Sequence, residues 1–248
     1  KNVSEFKDDQ TSEMFGALGY LTELELYKKT DQASEHFLTP KFLLRYAPDF
    51  MRKEDTGFRL DNLNIFTLDR LDSYDNFEGG TSATIGFDYK IKKSSNEFNF
   101  SAGQIINEKE NKHMPSSSSL DEKLSDIVGQ STLKLNDNFE LNYDFALDQN
   151  YNDLNYNEIG TKINLSPIKF DISYLQEKKH IGDQEYFKSD IEIMKGENGL
   201  FAFSTKRNLI TNSAEYYDLS YEYLNDCLRA GLVYRREFYN DSELEPEN

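Results

Sequence analysis

Apolar and polar residues alternate along most of the chain. The longest run is Phe139, Leu141, Tyr143, Phe145 and Leu147, with Glu140, Asn142, Asp144, Ala146 and Asp148 polar or small between them. Strict period two predicts a strand with two unlike faces. This run also has the length of about nine to eleven residues that a tilted strand needs to cross a bilayer. The pattern recurs. Leu18, Tyr20, Leu24 and Leu26 face away from Glu23 and Glu25, and Phe42, Leu44 and Tyr46 alternate with Lys41, Leu43 and Arg45. Pro40 is expected to begin that strand or to lie on an edge, because it cannot donate inside a ladder. Further strands are predicted around Ala83–Ile91, Phe98–Ala102, Leu133–Leu135, Ile159–Leu165, Ile168–Tyr174, Phe187–Ile193, Tyr217–Tyr223 and Leu228–Tyr234, with Leu200–Lys206 the least regular.

The connections alternate as well. Short turns are expected at 92–96, 136–138, 166–167, 197–199 and 225–226, and longer polar stretches at 49–80, 107–127, 148–156, 178–185 and 207–215. Short turns on one rim and long loops on the other mark an up-and-down barrel. The polar faces carry Glu140, Asp144, Asp171, Asp190, Glu192, Asp218 and Glu222, charges that need water and so predict a wet lumen. The expected fold is all-β: an antiparallel up-and-down transmembrane β-barrel of about twelve strands. Residues 107–124, with Lys112-His113-Met114-Pro115 and four serines, read as a flexible excursion too polar to pack.

Composition supports this picture. Of 248 residues, 37% are hydrophobic and 14% aromatic. A barrel with a polar interior can manage with few aliphatics. The net charge of −17 argues against nucleic acid, whose phosphates require a basic footprint, and against docking on an anionic membrane surface. No apolar run is long enough for a transmembrane helix. The chain begins at Lys1 and ends at Asn248, and reads as a fragment cut at both ends.

Candidate chemistry is sparse. His36, His113 and His180 share no spacing that would place two of them on one metal, and no catalytic motif is present. The expectation is a protein that is not an enzyme and has no cofactor; a barrel hydrolase would want a histidine near a serine or aspartate. Asp148, Asn150, Asn152 and Asp153 read as a solvated loop, since the EF-hand order is missing. The stretch Leu63–Gly80 is a charged loop ending in Gly79-Gly80. Its plainer reading is a solvated loop before a strand. The alternative is that Arg70, among Asp69, Asp72, Asp75 and Glu78, is bound at fixed geometry through its planar fork of donors.

The same loop carries a resemblance. Asn64–Gly80, with Arg70, Ser73-Tyr74-Asp75 and Glu78-Gly79-Gly80, resembles a motif in the C-terminal barrel of the LptD family of lipopolysaccharide-assembly proteins. Gly103-Gln104, Ser125-Asp126, Asn225-Asp226-Cys227 and Arg235-Arg236-Glu237-Phe238-Tyr239 follow in a similar order, so the resemblance runs from about Gly16 to Glu245. Ser73 stands where the family usually has glycine, Asn76 where it often has a basic residue, and Cys227 is single where some relatives have a pair.

The resemblance implies that residues 1–248 are part of a larger barrel in the Gram-negative outer membrane, surrounded by its lipid. It implies a translocon inserting lipopolysaccharide into the outer leaflet. The implied partners are a plug lipoprotein in the lumen and a periplasmic bridge protein. It marks Arg70, Tyr74, Asp75, Glu78 and Gly79 as the motif loop, and Cys227 as a disulfide to a cysteine outside this stretch. It leaves the lateral gate outside the chain and the terminal strands as open edges. The alternative function is a porin-like solute channel closed by these strands alone.

Overall fold

In the computed structural model the described residues are 16–30, 33–48, 51–55, 57–71, 73, 76–196 and 198–238. Thirteen strands form one antiparallel sheet. They are β1 (Leu18–Glu23), β2 (Leu26–Lys29), β3 (Ser34–Ala47), β4 (Gly80–Lys93), β5 (Asn96–Asn107), β6 (Ile127–Leu135), β7 (Phe139–Leu147), β8 (Leu154–Leu165), β9 (Ile168–Glu177), β10 (Gln184–Lys195), β11 (Gly199–Asn208), β12 (Ser213–Leu224) and β13 (Arg229–Glu237). From β3 to β13 each strand pairs with its sequence neighbours. β1 and β2 both pair with β3, so they fill one ladder position. The thirteen strands thus occupy twelve positions. Among the described residues the sheet is not closed: β1 and β2 have β3 as their sole partner, and β13 has β12.

The register shows why period two specifies the faces. Lys134, Glu140 and Lys162 stand side by side across β6, β7 and β8, as do Thr132, Asn142 and Gly160. Lys134 Nζ lies 3.3 Å from Glu140, and Thr132 Oγ1 donates to Asn142 Oδ1 at 3.0 Å. Such cross-strand pairs run over the whole polar face: Lys41–Asp88 at 2.7 Å, Lys90–Glu97 at 2.8 Å and Lys169–Glu192 at 3.2 Å. Arg235 grips Asp218 with two bonds of 2.8 and 2.9 Å. The opposite face carries rings. Phe87, Phe100, Phe145 and Tyr143 form a chain with centroids 5.8, 6.4 and 5.7 Å apart. A one-residue slip would exchange the faces along a strand, which is why the alternation pins the register.

Several expectations need correction. Pro40 lies inside β3, but opposite the Leu24–Glu25 interruption between β1 and β2. Its missing N–H therefore falls where the neighbouring ladder is broken, and its carbonyl accepts from Leu24 N–H at 3.2 Å. Within the first long loop, residues 62–66 form a series of turns. Leu200–Lys206 lies in a full-length strand whose irregularity is a register shift between Lys206 and Arg207. The largest correction concerns the long loops. The loops at 51–79 and 108–126 are packed in part: among their described residues Leu60, Ile65, Arg70, Glu78, Met114, Ser118, Ser119, Leu120, Ser125 and Asp126 are buried.

These loops fold back onto the polar face beside the long-loop rim. Met51, Leu60, Ile65, Met114 and Leu120 build an apolar core with Ile105, Val128, Ala146 and Tyr156 of the strands. Full burial of each large aliphatic side chain contributes about 1.5–3 kcal/mol. Glycines make room for the approach. Gly86 and Gly103 stand opposite each other. A Cβ on Gly86 would lie 2.9 Å from the Phe66 ring, and one on Gly103 2.9 Å from the Ile65 side chain. Serines that read as disorder close the backbone instead: Ser125 Oγ accepts from Ile105 N–H at 2.9 Å, and Ser118 Oγ donates to the Pro115 carbonyl at 2.7 Å.

Candidate functional site: a loop cap on the polar face

Two buried charged clusters fasten this cap to the sheet. The first is built on the motif loop. Arg70 is 1% exposed and Glu78 3%. Arg70 Nη2 donates to Ser82 Oγ of β4 at 2.7 Å, and Nε lies 3.1 Å from Glu78 Oε2. That last contact is an ion pair without hydrogen-bond alignment, since both atoms lack an aligned partner. Burial pulls the Arg70 guanidinium below its ordinary value, Glu78 opposes the shift, and neighbouring Arg45 adds to it. An arginine guanidinium is not deprotonated in proteins, so the pair with Glu78 is a charged one.

Arg45 of β3 reaches into the same loop. Its Nε donates to the Leu68 carbonyl at 2.7 Å and its Nη2 to the Glu78 carbonyl at 2.5 Å, and it lies 5.3 Å from the Phe77 ring centre. Gly79 is half-buried, with its carbonyl 3.5 Å from Asn111 Nδ2 of the second loop. Gly80 opens β4 with φ of +104°, a conformation that glycine tolerates best. Of the four acids expected around Arg70, the structure places Glu78 beside it, and Gly79 follows next in the loop. Asp69 is exposed and acts on Arg45. Tyr74 and Asp75, like Asp72, lie outside the described residues.

The second cluster was not expected. His180, in the loop between β9 and β10, is 1% exposed. Its Nε2 lies 2.8 Å from Asp126 Oδ2 and its Nδ1 3.0 Å from Glu177 Oε1. Asn155 Nδ2 also donates to Asp126 Oδ2, at 2.8 Å. Glu177 Oε1 accepts the backbone N–H groups of Lys179 and His180 at 3.1 and 3.0 Å, which shapes the turn that presents the ring. On its other side Glu177 Oε2 is 3.4 Å from Arg59 Nη1. The Arg59 guanidinium sits 3.7 Å from the Tyr156 ring centre. Burial works to lower the His180 pKa, but Asp126 and Glu177 outweigh it and hold the value above 6.5. Both ring nitrogens face carboxylates, so neither is placed to activate a hydroxyl. Ser117 Oγ donates to the His180 carbonyl at 3.1 Å, not to the ring.

Some of this was visible in outline. Ser125-Asp126 was marked through the family resemblance, while His180 was judged on metal spacing. The Glu177-to-His180 step of three residues was the local signal. Nothing in the sequence points to Arg59. His36 bonds Tyr89 Oη at 2.8 Å, far along β3 from this rim. Asp148 accepts both Asn150 amide groups at 3.0 Å in a local turn, as a solvated loop would.

A family model described as LptD, LPS transport system D, matches residues 18–217, from the first residue of β1 into β12. The chain belongs to the LptD family. Its role is therefore in lipopolysaccharide transport, with lipopolysaccharide the substrate of the system. The open up-and-down sheet fits a part of an LptD barrel. Cys227 is exposed, with its N–H donating to Asn225 Oδ1 at 3.0 Å in the turn between β12 and β13. It lies beyond the residues matched to LptD. No curated protein matches the chain.

Proposed function

We propose that residues 1–248 form part of the wall of an outer-membrane barrel through which lipopolysaccharide passes to the outer leaflet. The observation that carries this reading is the sheet's division into a ring-bearing apolar face and a charged polar face, in a chain of the LptD family. The apolar face meets outer-membrane lipid. The polar face lines a wet lumen that accommodates the saccharide part of the substrate. The loops of 51–79 and 108–126 stand at the outer rim and the short turns at the periplasmic rim, where Cys227 pairs with a cysteine elsewhere in the protein. A plug lipoprotein occupies the lumen, and a periplasmic bridge protein delivers the substrate. No covalent step belongs to this cycle.

The test is photocrosslinking in the intact protein in cells. A crosslinking residue at Thr132 or Asn142, on the polar face, is expected to capture lipopolysaccharide during active delivery and to stop doing so when delivery is blocked. Failure to capture it at any polar-face position, in a protein that conducts small solutes, would favour a porin-like channel.

A further inference from the structure

From the geometry around His180 we infer that Asp126, His180, Glu177 and Arg59 form a proton-dependent clasp, in which a charged imidazolium holds the cap loops on the sheet and a rise in pH releases them. The cluster joins three segments of the chain. Arg59 belongs to the first cap loop, Asp126 ends the second, Glu177 ends β9, and His180 sits in the following loop. The His180 backbone is gripped too. A Cβ on Gly57 would lie 2.7 Å from the His180 carbonyl, and Ser117 Oγ donates to that same oxygen.

With Asp126 and Glu177 ionised, the hydrogen-bond roles call for a charged ring. A carboxylate can only accept, and both ring nitrogens face one, so both must donate. Only the imidazolium carries a proton on each nitrogen. Asp126 makes this demand sharper, because its Oδ1 is buried with no hydrogen-bond partner and the residue is 0% exposed. A buried carboxylate so poorly satisfied needs a full positive charge beside it. Loss of the ring proton would leave one nitrogen lone pair facing a carboxylate oxygen.

The charged groups around the ring are Asp126 on the second loop, Glu177 on β9, Arg59 on the first loop through Glu177, and Lys179 beside it. Lys179 is directed toward Asp148 at 4.0 Å. Asn155, from β8, is neutral. Asp144 and Glu158 act on Arg59 and Tyr156 rather than on the ring. The sign follows from the raised value in the folded state. The clasp's contribution is complete below the ordinary histidine pKa of 6.5. It fades as pH rises through the higher folded value.

The experiment is hydrogen exchange of the intact protein in micelles from pH 5.5 to 9, paired with NMR of ¹³Cε1-labelled histidine. His180→Gln assigns the ring signal. The ring is expected to titrate above its ordinary value. Protection factors of amides in 114–126 are expected to fall about tenfold per pH unit between the ordinary and the folded pKa. Asp126→Asn keeps an acceptor but removes a charge, and is expected to move the fall to lower pH. A passive packing role would not shift that midpoint. A ring that titrates at or below its ordinary value, or cap protection that is flat with pH in wild type, overturns the clasp. If the variants do not assemble, the wild-type profile alone decides. The readout follows the cap and not lipid, so it stands whether or not transport is the barrel's task.

Discussion

Arg70 shows how far single residues could be read. Its setting in an acidic loop read more plainly as solvated, with a bound guanidinium as the alternative, and the structure supplies Glu78 and Ser82 as its partners. The second guanidinium, Arg45, was not foreseen because its place in an alternating strand reads as an ordinary lumen charge. Burial of both raises the stakes at this point. Removing one member of a buried pair costs about 3–5 kcal/mol, while replacing both with apolar groups can be nearly neutral. Arg70→Met in the intact protein is therefore expected to lower unfolding stability by about 3–5 kcal/mol. Arg70→Met with Glu78→Leu is expected to recover most of that loss. Chemical unfolding in detergent measures both, and a double variant no better than the single would show that Glu78 is not held by Arg70.

At the level of elements, strands were legible and loops were not. Alternation is a property of neighbouring residues, so β7 could be placed residue by residue. The cap depends on contacts between segments far apart, such as Ile65 over Gly103 and Ser117 against His180. No local pattern records them. Ser118, Ser119 and Ser125 looked like a flexible run because composition does not show that their hydroxyls would find Pro115, Asp126 and Ile105. The turn holding Cys227 is a short connection, as expected, and its exposure leaves the thiol accessible. A disulfide to a cysteine outside residues 1–248 is expected to make the full-length protein and its Cys227→Ser variant migrate differently on non-reducing electrophoresis. Equal migration, with free alkylation of Cys227 in the absence of reductant, would show the thiol unpaired.

For the whole molecule, the open edges matter most. β13 is exposed at every position and β1 likewise, and their outward row includes Leu18, Tyr20, Leu232 and Tyr234. Among the described residues both edges are unpaired, and such edges are templates for further strands, which agrees with a part of a larger LptD barrel. The account rests on one geometric claim: the apolar face meets lipid and the polar face meets water. A spin-label scan of positions 139–147 in the intact protein in bilayers tests it most directly. Labels at Leu141, Tyr143 and Phe145 are expected to be accessible to oxygen dissolved in lipid, and labels at Glu140, Asn142 and Asp144 to a polar quencher in water, in strict alternation. Equal accessibility along the strand, or alternation in the opposite phase, would contradict it.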